Sequence, residues 1–317
     1  MPLTITEGRR SAVDFDADGS RSICRVGERN RRPAIAHGLD QVGGGICGRS
    51  EGGLRPLAKG VYMSEIEVNS RFLSKVGVHV DDTGGNGRAV VLIHGWPLSK
   101  ESWKAQIPAL SQAGFRVVAY DRRGFGQSDK PGGGYDYDTL TEDLDGLLSE
   151  LDLRDATLVG FSMGGGEVAR YVSKYGEDRL RSVVFASAVP PYMLQTDDNP
   201  RGPLSKAHAA KMTADLTEDR DTFFDQFTRD FFSVEGELKV TEAQRQEAIE
   251  MCRQSDQKAA LACMASFGTE DFRDDLPKVT VPTLVIHGDG DAVTATQPCR
   301  SKVQASAPMR PSPRASW

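Results

Sequence analysis

Short apolar runs alternate with longer amphipathic stretches from Met63 to about Val189, and this alternation is the strongest signal in the chain. Ala89–Ile93, Phe115–Tyr120, Ala156–Phe161 and Leu180–Ala188 read as strands bounded by turn residues. The first of them, Ala89-Val90-Val91-Leu92-Ile93, is apolar throughout, as a strand covered on both faces must be. Ser99 then reads as the N-cap of a helix that carries Trp103, Ile107 and Leu110 on one face and stops at Gly114. Further on, Asp138 is the expected cap of a helix with Leu140, Leu144, Leu147, Leu148 and Leu151 in one stripe. Upstream, Glu65–Asn69 and Lys75–Val80 form the arms of a predicted β-hairpin. Strand and helix taking turns in this way predict an α/β domain on a mostly parallel, doubly wound sheet with right-handed crossovers.

The period changes after Pro190-Pro191. Polar helix-like segments fill residues 190–275, an expected helical cap over the carboxyl edge of the sheet. Thr217 precedes an aromatic stripe, Phe223, Phe224, Phe227 and Phe231, and Thr241-x-x-Gln244 fits a capping box. Packing against the core and contact with a substrate are both open to that stripe, and to Met193 and Met264. From Val281 the sheet resumes, so that residues 63–189 and 276–294 form the two parts of the core. Residues 1–62 carry little apolar periodicity and much Arg and Gly, the composition of a disordered extension, and Met63 is a second candidate for the start of translation. Residues 295–317 lose both periods and turn to Pro, Ser and Arg, an expected unstructured tail.

Composition narrows the function classes. The hydrophobic share of 38% suits a sizeable core, and the formal charge of -6, with acidic and basic residues interspersed, leaves no footprint for nucleic acid. No run approaches the ~20 apolar residues of a membrane span, and no apolar leader segment opens the chain, so the expected compartment is the cytoplasm. Five cysteines without a C-x-x-C pair argue against a disulfide framework and against a zinc site. Neither a metal nor a cofactor is expected.

The chemistry centres on Gly160-Phe161-Ser162-Met163-Gly164, a G-x-S-x-G that follows an apolar run and leads into Val168, Ala169, Tyr171 and Val172 at helical spacing. A serine on such a strand-to-helix turn is a nucleophile elbow, its hydroxyl pushed out beside the helix's free N–H groups, where an oxyanion is favoured. Ligands in open α/β sheets sit beyond the carboxyl ends of the strands. The His94-Gly95-Trp96 loop and the loop after Leu284-Val285-Ile286 fall there too. In the latter, Asp291 is preferred over Asp289 as an acid that orients a base, since it lies further past the strand. A turn-stabilising Asx role stays open for either.

With His94-Gly95-Trp96-Pro97-Leu98-Ser99, Asp121-Arg122-Arg123-Gly124-Phe125-Gly126-Gln127-Ser128, Gly160–Tyr171, Ser187–Pro191 and Asp289-Gly290-Asp291, the chain resembles the α/β-hydrolase superfamily over about residues 64–294. The branch it is most similar to is the cofactor-free (non-haem) haloperoxidases and aryl esterases. The resemblance implies an α/β-hydrolase fold with Ser162 as nucleophile, Asp291 as triad acid and the Trp96 and Met163 N–H groups as oxyanion hole. It implies hydrolysis of small or aromatic carboxylic esters through an acyl-enzyme, and with peroxide the formation of peracids that oxidise halide without metal or haem. The expected partner is a small ester or carboxylic acid, with no nucleic acid and no membrane, and an oligomer is allowed.

One departure is serious. The fold's order is serine, acid, histidine, yet no histidine follows His287. Only 26 residues, Ala292 to Trp317, come after Asp291, against roughly 25 to 30 for one more helix, one strand and their connections up to the base. A truncated or frameshifted end is expected, without the last strand, the last helix and the general base. In the family, His94 belongs to the oxyanion loop and His287 to the strand before the acid, so neither is built to replace that base. Activity is then expected to be severely reduced. A non-catalytic pseudo-enzyme that binds a small ligand is the alternative, while a dehalogenase or epoxide hydrolase would need a carboxylate where Ser162 stands.

Overall fold

The computed structural model describes residues 13–15, 21–23, 62–68, 76–288 and 291. Most of the expected extension at 1–62, the tail at 295–317 and Asp289 lie outside the described residues. Residues 3–53 form one unit, in which β1 (Val13–Phe15) pairs antiparallel with β2 (Arg21–Ile23). The other unit carries a seven-stranded sheet among the described residues.

That sheet contains β3 (Tyr62–Val68), β4 (Val76–Asp82), β5 (Ala89–Ile93), β6 (Arg116–Tyr120), β7 (Ala156–Phe161) and β8 (Leu180–Ala186). After short β9 (Ser233–Val234) and β10 (Glu237–Leu238), which pair only with each other, β11 (Thr283–Ile286) joins it. The order is β11-β8-β7-β5-β6-β4-β3, with β3–β4 and β4–β6 antiparallel and every other pair parallel. The hairpin and the parallel strands thus form as the apolar pattern predicts.

Burial on both faces explains the unbroken apolar run of β5. Ala89, Val91 and Ile93 pack into the larger core, together with Leu140, Leu144 and Val168 of the helices on that face. Val90 and Leu92 pack into a second core, with Trp103, Ile107, Val117 and Ala119. The sequence alternates between faces while staying apolar, which a parallel sheet with helices on each side requires.

Two helix starts differ from the sequence reading. The helix α2 (Tyr137–Glu150) is capped by Asp136, whose carboxylate accepts from Thr139 N at 2.9 Å, and Asp138 stands inside the first turn, 3.0 Å from Arg170. Tyr137 decides this, because it is buried and shares a face with Leu140 and Leu144 at spacings of three and four. Ser99 does cap a helix, but a 3₁₀ turn, Lys100–Trp103, after which α1 (Gln106–Gln112) begins afresh. Pro108 explains the break: in one continuous helix it would lack the N–H owed to the Lys104 carbonyl and clash with it, whereas in the first turn of α1 it is tolerated.

Between β8 and β11 the chain is helical: α4 (Lys206–Glu218), α5 (Arg220–Phe231), α6 (Glu242–Gln254) and α7 (Gln257–Thr269). The Thr241/Gln244 capping box forms as predicted. Cys252 and Cys263 are free and buried, and burial pushes both thiols up to about 12. Since the thiolate is the reacting form, iodoacetamide at pH 8 should leave both unmodified in the native protein and modify both in urea, as read by peptide mass mapping. Among the described residues no helix is long and apolar enough to cross a membrane, and no group of three His, Cys, Asp or Glu side chains is placed to hold a metal ion.

Candidate active site

Ser162 joins β7 to α3 (Met163–Tyr175) with φ 52° and ψ -117°, a left-handed conformation for a residue with a side chain. Such a conformation costs on the order of 1–3 kcal/mol and persists only where its surroundings enforce it. Here the enforcement is close approach of backbones. A Cβ on Gly160 would overlap the Gly164 carbonyl, and one on Gly164 would stand 2.7 Å from the Ile93 oxygen. Both glycines of the motif are therefore required for α3 to start against the ends of β5 and β7. Met163 is the first residue of α3, so its N–H belongs to the turn that has no acceptor within the helix.

The loop after β5 lies against this turn: a Cβ on Gly95 would come within 3.1 Å of the Ser162 Cβ. A buried ionic network holds that loop from behind. Arg122 donates from Nη2 to the His94 carbonyl at 2.7 Å and from Nε to Glu167 Oε1 at 2.6 Å, and Tyr120 donates to Glu167 Oε2 at 3.0 Å. His94, Tyr120, Arg122 and Glu167 are each no more than 2% exposed. Burial pushes the Glu167 carboxyl above its ordinary range, and the adjacent guanidinium works against that push. Arg122 would be lowered by burial, but Glu167 and Tyr120 beside it raise it.

His94 is committed by the same contacts. Its Nε2 accepts from the Arg122 N–H at 3.0 Å, which leaves Nδ1 protonated and donating to the Gly95 carbonyl at 2.9 Å. Burial first, and the Arg122 charge second, hold its pKa well below the usual value. A neutral imidazole with both nitrogens on backbone groups has no lone pair for a serine proton. The sequence places Arg122 and Glu167 in recognised motifs yet assigns them no role, because the residues are 45 positions apart and meet only when β6 and α3 pack.

Trp96 ties the loop to the cap. Its indole N–H donates to the Ala260 carbonyl of α7 at 2.9 Å, and its ring meets Phe227 at 5.3 Å, Phe267 at 5.5 Å and Phe223 at 6.2 Å between centroids. A cavity of ≈ 710 Å³ opens here, with Ser162, Trp96, Val189 and Met193 in its lining along with Phe223, Phe227 and Phe231. In the aromatic stripe three rings pack on Trp96 or on each other and line the cavity, while Phe224 is wholly buried. Met193 lines the cavity, and Met264 is buried and does not.

Asp291 is not among the lining residues. Its carboxylate lies 3.6 Å from His287 Nε2, just past β11. Phe161, Ala186 and Ile286 share one register across β7, β8 and β11. His287 therefore follows its strand at the level of Ser162 but two strands away, roughly 10 Å between Cα atoms, with Ser187 between them. The structure thus brings together Ser162, Met163 and Trp96, and brings Asp291 to His287.

Residues 88–301 match the alpha/beta hydrolase fold family. The chain is 46% identical over 210 residues to a non-heme chloroperoxidase of Kitasatospora aureofaciens, covering 66% of this chain and 76% of that protein. It is 36% identical over 221 residues to a bifunctional esterase/perhydrolase of Acinetobacter calcoaceticus, covering 69% and 80%. Among solved structures, a bromoperoxidase from Bacillus anthracis superposes with a TM-score of 0.69 at 47% identity, covering 73% of this chain and 83% of that one.

Proposed function

Because this chain belongs to the alpha/beta hydrolase fold family, we propose that it is a serine-dependent hydrolase of small or aromatic carboxylic esters that acts through an acyl-enzyme on Ser162. The observation that carries this reading is the strained Ser162, at the N-terminus of α3 and in the lining of an apolar cavity. Ser162 Oγ forms a bond to the ester carbonyl carbon, and the carbonyl electron pair moves onto oxygen. The Trp96 and Met163 N–H groups and the positive end of α3 hold that oxyanion. Collapse breaks the bond to the alcohol, which leaves with a proton, and water then releases the acid from Ser162. Peroxide in place of water gives a peracid, the chemistry named for the Acinetobacter relative.

In this scheme Asp291 is the acid that would orient a base, and it stands beside His287, outside the lining of the cavity. His94 is committed to backbone groups and His287 stands two strands away, so the serine proton passes to solvent or to His208, which lines the same cavity. An enzyme of this kind without its triad base loses on the order of 10⁶ in kcat and keeps roughly 10³–10⁴ over the reaction in water, the rate expected if Ser162 works without a histidine. The same two observations favour a second reading, a non-catalytic binder of small ligands. A fluorophosphonate probe followed by intact mass separates them. A single adduct that Ser162→Ala removes is the expected result; an unlabelled protein would leave only the binding reading.

A further inference from the structure

The peptide unit between Gly95 and Trp96 is held at its carbonyl by two donors. His94 Nδ1 donates to the Gly95 oxygen at 2.9 Å, and the Leu98 N–H donates to it at 3.0 Å. The Gly95–Trp96 bond is trans, so its N–H points away from its C=O in one plane. Whatever fixes the Gly95 carbonyl therefore also aims the Trp96 N–H. That N–H starts from a loop packed on the elbow, where a Cβ on Gly95 would stand 3.1 Å from the Ser162 Cβ, and Trp96 shares the cavity lining with Ser162.

The two donors differ in what holds them. Leu98 closes a turn within the loop itself and moves with it. The His94 ring is anchored outside the loop, on the segment that follows β6: the Arg122 N–H meets Nε2 at 3.0 Å, and the Phe125 ring packs edge-on at 5.7 Å. Because Nε2 faces an N–H, it is the lone pair, and the ring proton sits on Nδ1, opposite the Gly95 oxygen. Arg122 Nη1 stands 3.3 Å from that Nδ1, donor facing donor, and so contributes charge rather than a bond. Burial, and then that charge, keep the ring neutral. We propose that His94 is a positioning residue of the oxyanion hole: its imidazole, locked on Nε2, aims the Trp96 N–H through the Gly95 carbonyl. The proposal rests on Ser162 being the reacting group, and it adds the side chain that sets one of the two amide donors before charge develops, where preorganisation counts most. His94 touches no substrate and moves no proton. A buried histidine that only filled its site would, when replaced, weaken every ligand of the cavity alike.

Two ketones that differ in whether an oxyanion forms separate these roles. Ser162 Oγ adds to the carbonyl carbon of 1,1,1-trifluoro-4-phenylbutan-2-one, its proton passes on as in acylation, and the carbonyl electron pair moves onto oxygen. The unfluorinated 4-phenylbutan-2-one binds without adding. Affinities for both are read by competition with a fluorophosphonate probe. His94→Asn and His94→Gln should each lose on the order of 10²-fold for the trifluoroketone and keep the affinity for the plain ketone. Variants that weaken both ketones alike, or neither, would overturn the proposal. Nitrogen NMR of the parent at pH 7 is independent of how the variants fold: the imidazole protected from exchange with water should be neutral with its proton on Nδ1, and a proton on Nε2 would also overturn it. A parent that neither labels nor prefers the trifluoroketone removes the hydrolase reading and this role with it. A parent that does both, with variants that keep the preference, removes the positioning role alone.

Discussion

Arg122→Met should destabilise the protein by on the order of 3–5 kcal/mol, because it leaves a carboxylate buried without its cation. Glu167 is fully buried, and besides Arg122 it accepts from the Tyr120 hydroxyl. The same change removes the Nη2 bond to the His94 carbonyl, so the loop behind Trp96 loosens as well. Urea denaturation should show a lower midpoint at an unchanged m-value. The deficit should also depend on pH in a definite direction. Burial raises the folded pKa of Glu167 above its unfolded value of about 4.3. Below that value the carboxyl is protonated in both states, and the variant loses least. As pH rises from there to the parent's folded pKa, the unfolded chain ionises first and both proteins lose stability alike; above it the parent's carboxylate ionises beside Arg122 while the variant's stays protonated, and the deficit grows by up to about 1.4 kcal/mol per pH unit. Arg122→Met/Glu167→Leu, which removes both charges and keeps the volume apolar, should recover much of the loss and flatten that slope. A single variant as stable as the parent at pH 8 would show that the network holds nothing.

The readable parts of this chain were those set by local period or by a short motif. β5 reads as a doubly buried strand because every residue from Ala89 to Ile93 is apolar, and it packs into two cores. Ser162 reads as an elbow because its glycines are two positions away on either side, and the clash that requires them is equally local. The Thr241/Gln244 box likewise needs only its own turn. What was not readable depends on the fold. Asp136 and Asp138 are equivalent caps until the burial of Tyr137 chooses between them. The aromatic stripe of α5 could not be divided into core and cavity, because Phe224 differs from Phe223 only in which side of the helix meets Trp96. The Arg122–Glu167 pair has no signature at all in a pattern of neighbours. It is a contact between the end of β6 and the inside of α3, and it is the reason the buried, glycine-rich start of α3 carries a glutamate.

Gly164→Ala tests the elbow itself, and helix propensity makes the test sharp. Gly164 lies in the first turn of α3, and in a helix alanine is favoured over glycine by about 1 kcal/mol. Were the position unconstrained, the variant would be the more stable protein. The added methyl would instead sit 2.7 Å from the Ile93 oxygen, 2.9 Å from Ile93 Cγ2 and 3.2 Å from the His94 oxygen. Two of those three are backbone carbonyls, which move only if the end of β5 moves. Overpacking of this kind costs roughly 1–3 kcal/mol, enough to cancel the propensity gain of about 1 kcal/mol and leave a net loss of up to about 2 kcal/mol. The relief is to tilt α3 away from β5, and that shift separates Ser162 and the Met163 N–H from the loop that carries Trp96. A displacement near 1 Å at a reacting centre costs on the order of 10²-fold in rate. Fluorophosphonate labelling should therefore slow by about that factor in a protein that still melts cooperatively. Gly132→Ala is the control, since nothing lies within 4 Å of its added methyl, and it should label at the parent's rate. If Gly164→Ala also labels at the parent's rate, the close approach of α3 to β5 does not position the nucleophile.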